Sequence, residues 1–109
     1  MIRLDKKLKD FKRGWLVGDF EPVLFNSKDI EIAVQEYKAG DKEAPHYHAK
    51  AIEYNLILEG LVTFNGDEFN KDEICIINKN DVSDFRAITD AKVLVIKTPS
   101  VIGDKYIVV

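Results

Sequence analysis

The sequence predicts a single all-β domain, a sandwich or barrel of short antiparallel strands, preceded by a short N-terminal arm. Three observations lead to this prediction. The 109 residues suffice for one hydrophobic core but not for two. After Gly14, runs of about four to eight residues rich in Val, Ile, Tyr and Phe are separated by Gly, Asn, Asp and Pro. Nothing between residues 20 and 109 has the periodicity of a long helix.

The composition narrows the class of protein. Hydrophobic residues make up 46% and charged residues 32%, which is typical of a globular domain. A net charge of −3 argues against a nucleic-acid-binding protein, and no apolar run is long enough to cross a bilayer. The charged N-terminus does not resemble a secretory signal, and a single cysteine, Cys75, fits a reducing compartment. We therefore expect a cytoplasmic protein.

The first 15 residues differ from the rest of the chain, because they carry six basic side chains against two acidic ones. Leu4, Leu8, Phe11 and Trp15 are spaced by 4, 3 and 4 residues, which predicts one face of a helix. A basic amphipathic stretch can be a membrane-surface or nucleic-acid arm. The favoured interpretation is a segment that packs its apolar side on the domain or on a second subunit. We accordingly divide the chain into an arm, residues 1–15, and a domain, residues 16–109.

The strands can be placed from the runs of β-branched and aromatic residues. The clearest turn is Asn65-Gly66-Asp67, because Asn and Gly tolerate the positive φ of a tight hairpin. Close, even spacing of many short strands is typical of a sandwich or barrel. The predicted strands are Pro22–Phe25, Ile30–Tyr37, His46–Ala49, Ile52–Leu58, Leu61–Asn65, Glu68–Phe69, Ile74–Ile77, Ser83–Ala87, Lys92–Lys97 and Tyr106–Val108.

The residues with the clearest chemical meaning are the two histidines, which stand as His46-Tyr47-His48. On a strand, residues two apart point to the same face, so both imidazoles can enter one cavity. Glu53 begins the next apolar run, and a bend in between would return its carboxylate to the histidine pair. Two imidazoles and one carboxylate can bind iron, manganese, nickel or zinc and leave positions open for substrate.

The spacing Gly40-(5)-His46-x-His48-(4)-Glu53-(6)-Gly60, with Pro45 beside the first histidine, resembles the first motif of the cupin superfamily. The resemblance covers roughly residues 20 to 100. It implies an antiparallel double-stranded β-helix, or jelly-roll barrel, in which His46, His48 and Glu53 are metal ligands. It also implies a homodimer, in which the partner covers edge strands.

The second cupin motif is degenerate. Its glycine, proline, glycine, histidine and asparagine positions fall on Asp72, Asn78, Asn80, Ser83 and Ala87. Ser83 thus replaces the third histidine ligand of the family, and a neutral hydroxyl is a poor transition-metal ligand that can still hydrogen-bond a ligand. By strand alternation, Asn55 and Phe85 are expected to face the same cavity as Glu53 and Ser83.

These features predict a small cupin that binds a divalent metal and a small polar ligand. If the protein is an enzyme, we expect a metal-dependent reaction on a small acid or sugar. The alternatives are a non-catalytic, metal-free binding or regulatory module, and a metal-free enzyme of the sugar-nucleotide isomerase or epimerase kind. The sequence names no catalytic residue, although Glu53 beside a histidine could serve as a general base. Cys75 is expected to be a buried apolar residue of its strand.

Overall fold

A computed structural model describes residues 1–108; Val109, the last residue of the predicted domain, lies outside the described residues. The regular structure of the described chain is all strand except for two short 3₁₀ helices, Leu8–Asp10 and Lys12–Gly14. The all-β prediction is therefore confirmed. The strands are β1 (Trp15–Gly18), β2 (Phe25–Asn26), β3 (Glu31–Tyr37), β4 (Lys42–Tyr47), β5 (Ile52–Glu59), β6 (Val62–Phe64), β7 (Asp67–Phe69), β8 (Ile74–Ile77), β9 (Ser83–Ala87), β10 (Ala91–Thr98) and β11 (Tyr106–Ile107).

The strands form two sheets, one of six strands in the order β2-β1-β3-β10-β5-β8 and one of five in the order β11-β4-β9-β6-β7. Every pairing is antiparallel except β1 with β2. The predicted antiparallel jelly-roll arrangement is confirmed, but its two sheets do not close into a barrel. The main core contains Ala33, Ile57, Val62, Val93 and Val95, each at most 3% exposed.

The predicted N-terminal helix is wrong. Residues 8–14 form two 3₁₀ turns instead, and Trp15 already belongs to β1, a strand that the sequence reading missed. Arg13 and Gly14 have φ of +50° and +75°, so two successive left-handed residues interrupt any right-handed helix. Of the four residues on the predicted apolar face, Phe11 is buried, whereas Leu4 is 53% exposed. Within the described chain, no helix is long and apolar enough to cross a membrane.

Two turns show how local chemistry sets the strand ends. The predicted hairpin is confirmed, since Asn65 and Gly66 both have positive φ and connect Phe64 to its cross-strand partner Asp67. Asp72 and Asn80, which occupy glycine positions of the second cupin motif, also have positive φ. Aspartate and asparagine adopt this conformation more readily than other non-glycine residues. The glycines are therefore replaced without loss of the turns.

Strand limits near the histidines differ from the prediction. The predicted strand His46–Ala49 is displaced, because β4 runs from Lys42 to Tyr47 and ends before His48. The next segment turns toward β5, with its backbone N–H groups bound to a side chain rather than to a neighbouring strand. The side chain of Asp104, distant in sequence, thus supplies the hydrogen-bond acceptors that a neighbouring strand would otherwise provide.

Candidate functional site

A cavity of about 360 Å³ opens between the two sheets, and the N- and C-terminal segments border it. Side chains from β1, β3, β5 and β10 line one wall, and side chains from β4, β6 and β9 line the other. The structure brings the six residues selected from the sequence to this one cavity: His46, His48, Glu53, Asn55, Ser83 and Phe85.

Strand alternation places the polar residues of β5. Asn55 and Ile57 are buried on the inner face, and Glu53 lies on the same face, while Tyr54 between Glu53 and Asn55 is exposed. The carboxylate of Glu53 accepts a hydrogen bond from the side-chain amide of Asn55 at 3.2 Å. Ser83 begins β9 as the cross-strand partner of His46, so it lines the cavity from the same five-stranded sheet as His46 and from the sheet opposite Glu53.

Both histidines have defined hydrogen bonds on their Nδ1 atoms. His46 Nδ1 lies 2.9 Å from the carbonyl oxygen of Ala44, and His48 Nδ1 lies 2.6 Å from that of Asp104. A carbonyl only accepts, so in each neutral ring Nδ1 carries the proton and Nε2 keeps a lone pair. The rings are nearly perpendicular, with centroids 5.3 Å apart.

Glu53 completes this cluster from β5. Its Oε1 lies 3.8 Å from Nε2 of His48, which is too long for a direct hydrogen bond but close enough for one ligand group to contact both. Both groups are largely screened from solvent, since the side chains of His48 and Glu53 are 5% and 14% exposed. The cluster therefore presents two imidazole lone pairs and a carboxylate at one end of the cavity.

The imidazole and carboxylate groups of this cluster are chemically suitable metal ligands, but their positions do not form a metal site. Neutral histidines with Nδ1 fixed by a carbonyl are the form in which imidazole ligates metals. However, in residues 1–108 no three His, Cys, Asp or Glu side chains are grouped so that they hold one metal ion. The three predicted ligands line one cavity without forming a ready three-donor centre.

Asp104 holds the loop that follows His48, a role that the sequence reading missed. Its buried carboxylate accepts hydrogen bonds from the backbone N–H groups of Ala49, Lys50 and Ala51 at 3.0–3.2 Å. Burial raises the pKa of Asp104, but the hydrogen bonds from Lys50, Ala51 and Ala49 outweigh it and hold that pKa below its usual value. One residue thus fixes both the loop, through its carboxylate, and the His48 ring, through its carbonyl.

Lys97 was also missed, and it is the cross-strand neighbour of Glu53 on β10. Its Nζ lies 3.5 Å from the carboxylate of Glu31 and 5.2 Å from the centroid of the Trp15 ring. Glu31 is buried and accepts a hydrogen bond from the hydroxyl of Ser100 at 2.9 Å. The sequence did carry a signal for Glu31: strand alternation in β3 puts the polar residues Glu31 and Gln35 on the buried face.

A second ion-pair group lies where the N- and C-terminal segments meet the cavity. Glu43 accepts a hydrogen bond from Arg13 at 2.7 Å and lies 3.8 Å from the amine of Lys105. The hydroxyl of Tyr37 donates to Gln35 at 2.6 Å. Burial, and then the nearby Glu43 carboxylate, raise the pKa of Tyr37 far above its usual value, so the phenol stays protonated.

The electrostatics keep His48 neutral. Burial lowers its pKa first, and the positive charge of Lys97 lowers it further, which outweighs the opposing effects of the Asp104 carbonyl and of Glu53. The imidazole is consequently unprotonated near pH 7, and its Nε2, the atom not bound to the Asp104 carbonyl, keeps a lone pair. Glu53 and His48 therefore both act as hydrogen-bond acceptors at neutral pH.

No family model matches the chain, and no curated protein sequence matches it. Solved structures do resemble it. A cupin protein described as RmlC-like, from Desulfovibrio desulfuricans, is 27% identical, with a TM-score of 0.62 over 69% of this chain and 76% of that one. A conserved protein from Klebsiella pneumoniae with a double-stranded β-helix domain is 17% identical, with a TM-score of 0.64 over 71% and 73%.

A larger protein shares the same architecture. Oxalate decarboxylase from Bacillus subtilis is 14% identical, with a TM-score of 0.67 over 75% of this chain but only 24% of its own length. That enzyme contains Mn(II) centres. At such low identity the similarity concerns the fold alone.

Proposed function

We propose that this protein, a chain with the double-stranded β-helix fold of the cupins, binds a small, uncharged, hydroxyl-bearing molecule such as a sugar. The observation that carries the proposal is the convergence of His46, His48 and Glu53 at one end of a 360 Å³ cavity. This volume falls in the range of small-molecule sites, which begins at roughly 300 Å³.

The free atoms of the cluster favour ligands that donate hydrogen bonds. The Nε2 atoms of His46 and His48 and Oε1 of Glu53 are acceptors. The Nδ1 atom of each histidine and Oε2 of the glutamate already have hydrogen-bond partners in the protein. Several hydroxyl groups on one small molecule supply the matching donors. The hydroxyl of Ser83, the cross-strand neighbour of His46, can donate or accept.

The charge balance favours an uncharged ligand over a small acid. Four basic and four acidic side chains line the cavity. Lys97 is paired with Glu31, and Arg13 and Lys105 both approach Glu43. An anionic ligand at the histidine end would lie near the carboxylate of Glu53 and would compete with Glu31 for Lys97, whereas a neutral polyol leaves that pair intact.

Turnover would require only the groups already present. Neutral His48 can accept a substrate proton at Nε2 and return it to the same or a neighbouring substrate atom, while the carboxylate of Glu53 can hold a substrate hydroxyl in place. An acid–base isomerisation or epimerisation is the reaction class that this pair supports, while a binding module would use the same contacts without proton transfer. Incorporation of deuterium from D₂O into a bound sugar, followed by NMR, distinguishes the enzyme from the binding module.

The binding test uses calorimetry with a matched panel: D-glucose and D-galactose, their 6-phosphates, the corresponding uronic acids, and oxalate. We expect a neutral sugar to bind more tightly than its charged counterparts. Glu53→Gln should weaken binding by about tenfold, corresponding to one hydrogen bond to a charged group. Glu68→Gln, an exposed residue of β7 outside the cavity, is the control and should bind like the wild type. Tighter binding of the acids, or unchanged affinity in Glu53→Gln, would contradict the proposal.

A second candidate is a site for a divalent metal, iron, manganese, nickel or zinc, at His46, His48 and Glu53. The observation that favours it is the state of the two rings, which leaves both Nε2 lone pairs free. Elemental analysis of the purified protein beside a His46→Ala/His48→Ala variant tests it, together with titration of the apoprotein with MnCl₂ or ZnCl₂. Near-stoichiometric metal that disappears in the variant would support this candidate, and no metal after titration would refute it.

A cytoplasmic location belongs to the same proposal. It rests on the single cysteine: a chain with one cysteine forms no internal disulfide, which fits a reducing compartment. Fractionation of cells that express the protein, with detection in the cytosolic fraction, is the direct test.

A further inference from the structure

A groove of about 800 Å³ lies on the five-stranded sheet, on the face away from the cavity. We call it the outer groove. It crosses β4, β9 and β6, and strand pairing places Lys42, Arg86 and Thr63 side by side in it. The flanking residues Phe64 and Phe85 are buried in the core. Because alternate residues of a strand point to opposite faces, the row of three points outward. The outer groove and the cavity are therefore separate surfaces.

Two positive charges lie directly opposite each other in this groove. Lys42 and Arg86 are cross-strand partners in the antiparallel pair of β4 and β9, and both are exposed. The backbone N–H of Ala87 donates to the carbonyl of Asp41, so the ladder hydrogen bonds fall on the neighbouring pair of residues. The Cβ atoms of a non-hydrogen-bonded pair are only about 5 Å apart, and like charges at this spacing destabilise a sheet. An anion bound between the two side chains would remove the repulsion.

No carboxylate of residues 1–108 neutralises the two cations, since none of the ion pairs in this part of the chain includes Lys42 or Arg86. Glu43 forms its ion pairs on the cavity side of the sheet. The carboxylate of Asp84 accepts a hydrogen bond from the backbone N–H of the residue that follows β6. Glu68 lies two strands from Arg86, about 10 Å across the sheet. The outer groove thus keeps two cations without an acidic partner.

The rest of the groove offers an apolar surface beside these charges. Ile88, which follows β9, is 44% exposed, and Ala44 and Pro45 of β4 are exposed as well. The groove is much larger than a single inorganic anion. A cationic row next to apolar side chains fits a ligand that has a charged group at one end and an apolar body at the other.

We propose that the outer groove binds a small phosphomonoester with an apolar body. The guanidinium of Arg86 can donate two parallel hydrogen bonds to phosphoryl oxygens, and the amine of Lys42 supplies a second positive charge. The hydroxyl of Thr63, the cross-strand partner of Arg86, can donate to a further oxygen. A phosphoryl group carries nearly two negative charges at pH 7 and matches both cations. A carboxylate carries one and leaves one cation without a partner.

Calorimetric titration with phenyl phosphate, inorganic phosphate and benzoate tests the proposal at constant ionic strength, because salt screens exposed charges. Phenyl phosphate should saturate the wild type below about 10 mM and bind more tightly than the other two. Arg86→Gln and Lys42→Gln should each weaken its binding by about tenfold, as expected for loss of one charged hydrogen bond. Failure to saturate, equal affinity for benzoate, or unchanged affinity in Arg86→Gln would each overturn the proposal.

A matched control separates the groove from a general effect of charge. Lys71→Gln/Lys79→Gln removes two positive charges at exposed residues outside the groove and should bind phenyl phosphate like the wild type. Weakening in this control as large as in Arg86→Gln would mean that only the net charge attracts the anion, and it would overturn the site. Circular dichroism spectra matching the wild type confirm that each variant is folded.

Methyl NMR spectra locate the bound phenyl phosphate. The methyl resonances of Thr63 and Ile88 should shift on titration, while those of Val93 and Val95, which line the cavity, should stay in place. Shifts confined to the cavity valines would place the phosphate there and overturn the proposal. Ile88→Ala should weaken phenyl phosphate several-fold and leave inorganic phosphate unchanged, because Ile88 contacts only the apolar body. Equal weakening of both ligands would overturn that orientation.

Discussion

Replacement of Asp104 by alanine should unfold the loop beside His48 and destabilise the whole domain. The carboxylate accepts hydrogen bonds from three consecutive backbone N–H groups, those of Ala49, Lys50 and Ala51. Lys50 is exposed and can turn to water, but Ala51 is only 2% exposed, so its N–H would be left buried without an acceptor. At roughly 1 kcal/mol for each solvated bond and 1–3 kcal/mol for the buried one, Asp104→Ala should cost about 4 kcal/mol.

Urea denaturation followed by tryptophan fluorescence measures this cost at pH 7. Asp104→Asn keeps one carbonyl oxygen as an acceptor, so it should cost about half as much, near 2 kcal/mol. Asp90→Ala, at an exposed position, loses one backbone contact to Ala39 and is the matched control, expected to cost about 1 kcal/mol. If Asp104→Ala were no more destabilising than the control, the reasoning about the loop would be refuted.

The same carboxylate gives the pH dependence a definite sign. The pKa of Asp104 is lower in the folded protein than in the unfolded chain. Its contribution to stability is therefore present above the unfolded pKa, near 3.9, and is lost as the pH falls through the folded value. The difference in the free energy of unfolding between wild type and Asp104→Asn should thus shrink below about pH 4.

Four further results are expected. The His48 resonance in an NMR titration should have a midpoint below 6.5, and Lys97→Met should raise it, because the neighbouring positive charge is removed; an unshifted midpoint in Lys97→Met would contradict the electrostatic account. Burial raises the pKa of Cys75 to about 11, so iodoacetamide at pH 8 should label it about 100-fold more slowly than in urea, as measured by mass spectrometry. Gly14→Ala should cost well over 2 kcal/mol, because its Cβ would meet a backbone oxygen of Val34, whereas Gly66→Ala meets nothing and should cost only about 1 kcal/mol. Ile57→Ala should cost about 3 kcal/mol in the same urea assay, since Ile57 is fully buried in the core, and a loss below 1 kcal/mol would be inconsistent with tight packing there.

Several elements were predictable because their signals are local. The runs Ile74–Ile77 and Ser83–Ala87 match β8 and β9 at both ends, since β-branched residues in the first, Phe85 in the second and flanking turn formers in both define them without help from distant contacts. The Asn65-Gly66 hairpin follows from backbone preference alone. The two-residue spacing of the histidines and the alternation of β5 were enough to direct His46, Glu53 and Asn55 toward one cavity.

Other features depend on residues that meet only after folding. The N-terminal periodicity suggested a helix, but Arg13 and Gly14 adopt left-handed conformations where Gly14 packs against the backbone of β3. Asp104 lies more than 50 positions beyond the loop that it holds, and no spacing rule connects the two. Lys97 becomes a neighbour of Glu53 only through the register between β10 and β5.

The sequence alone determined the all-β character, most strand positions and the histidine–carboxylate cluster, because each depends on residues close together in the chain. The tertiary structure decided what surrounds that cluster: the Asp104 carbonyl that sets the state of His48, the ion pairs that balance the cavity charge, and the two sheets that replace a closed barrel. It also decided that Lys42 and Arg86 lie opposite each other in one groove. The physical reason is that charge pairing, burial and sheet register depend on distances in space, which a linear pattern does not contain.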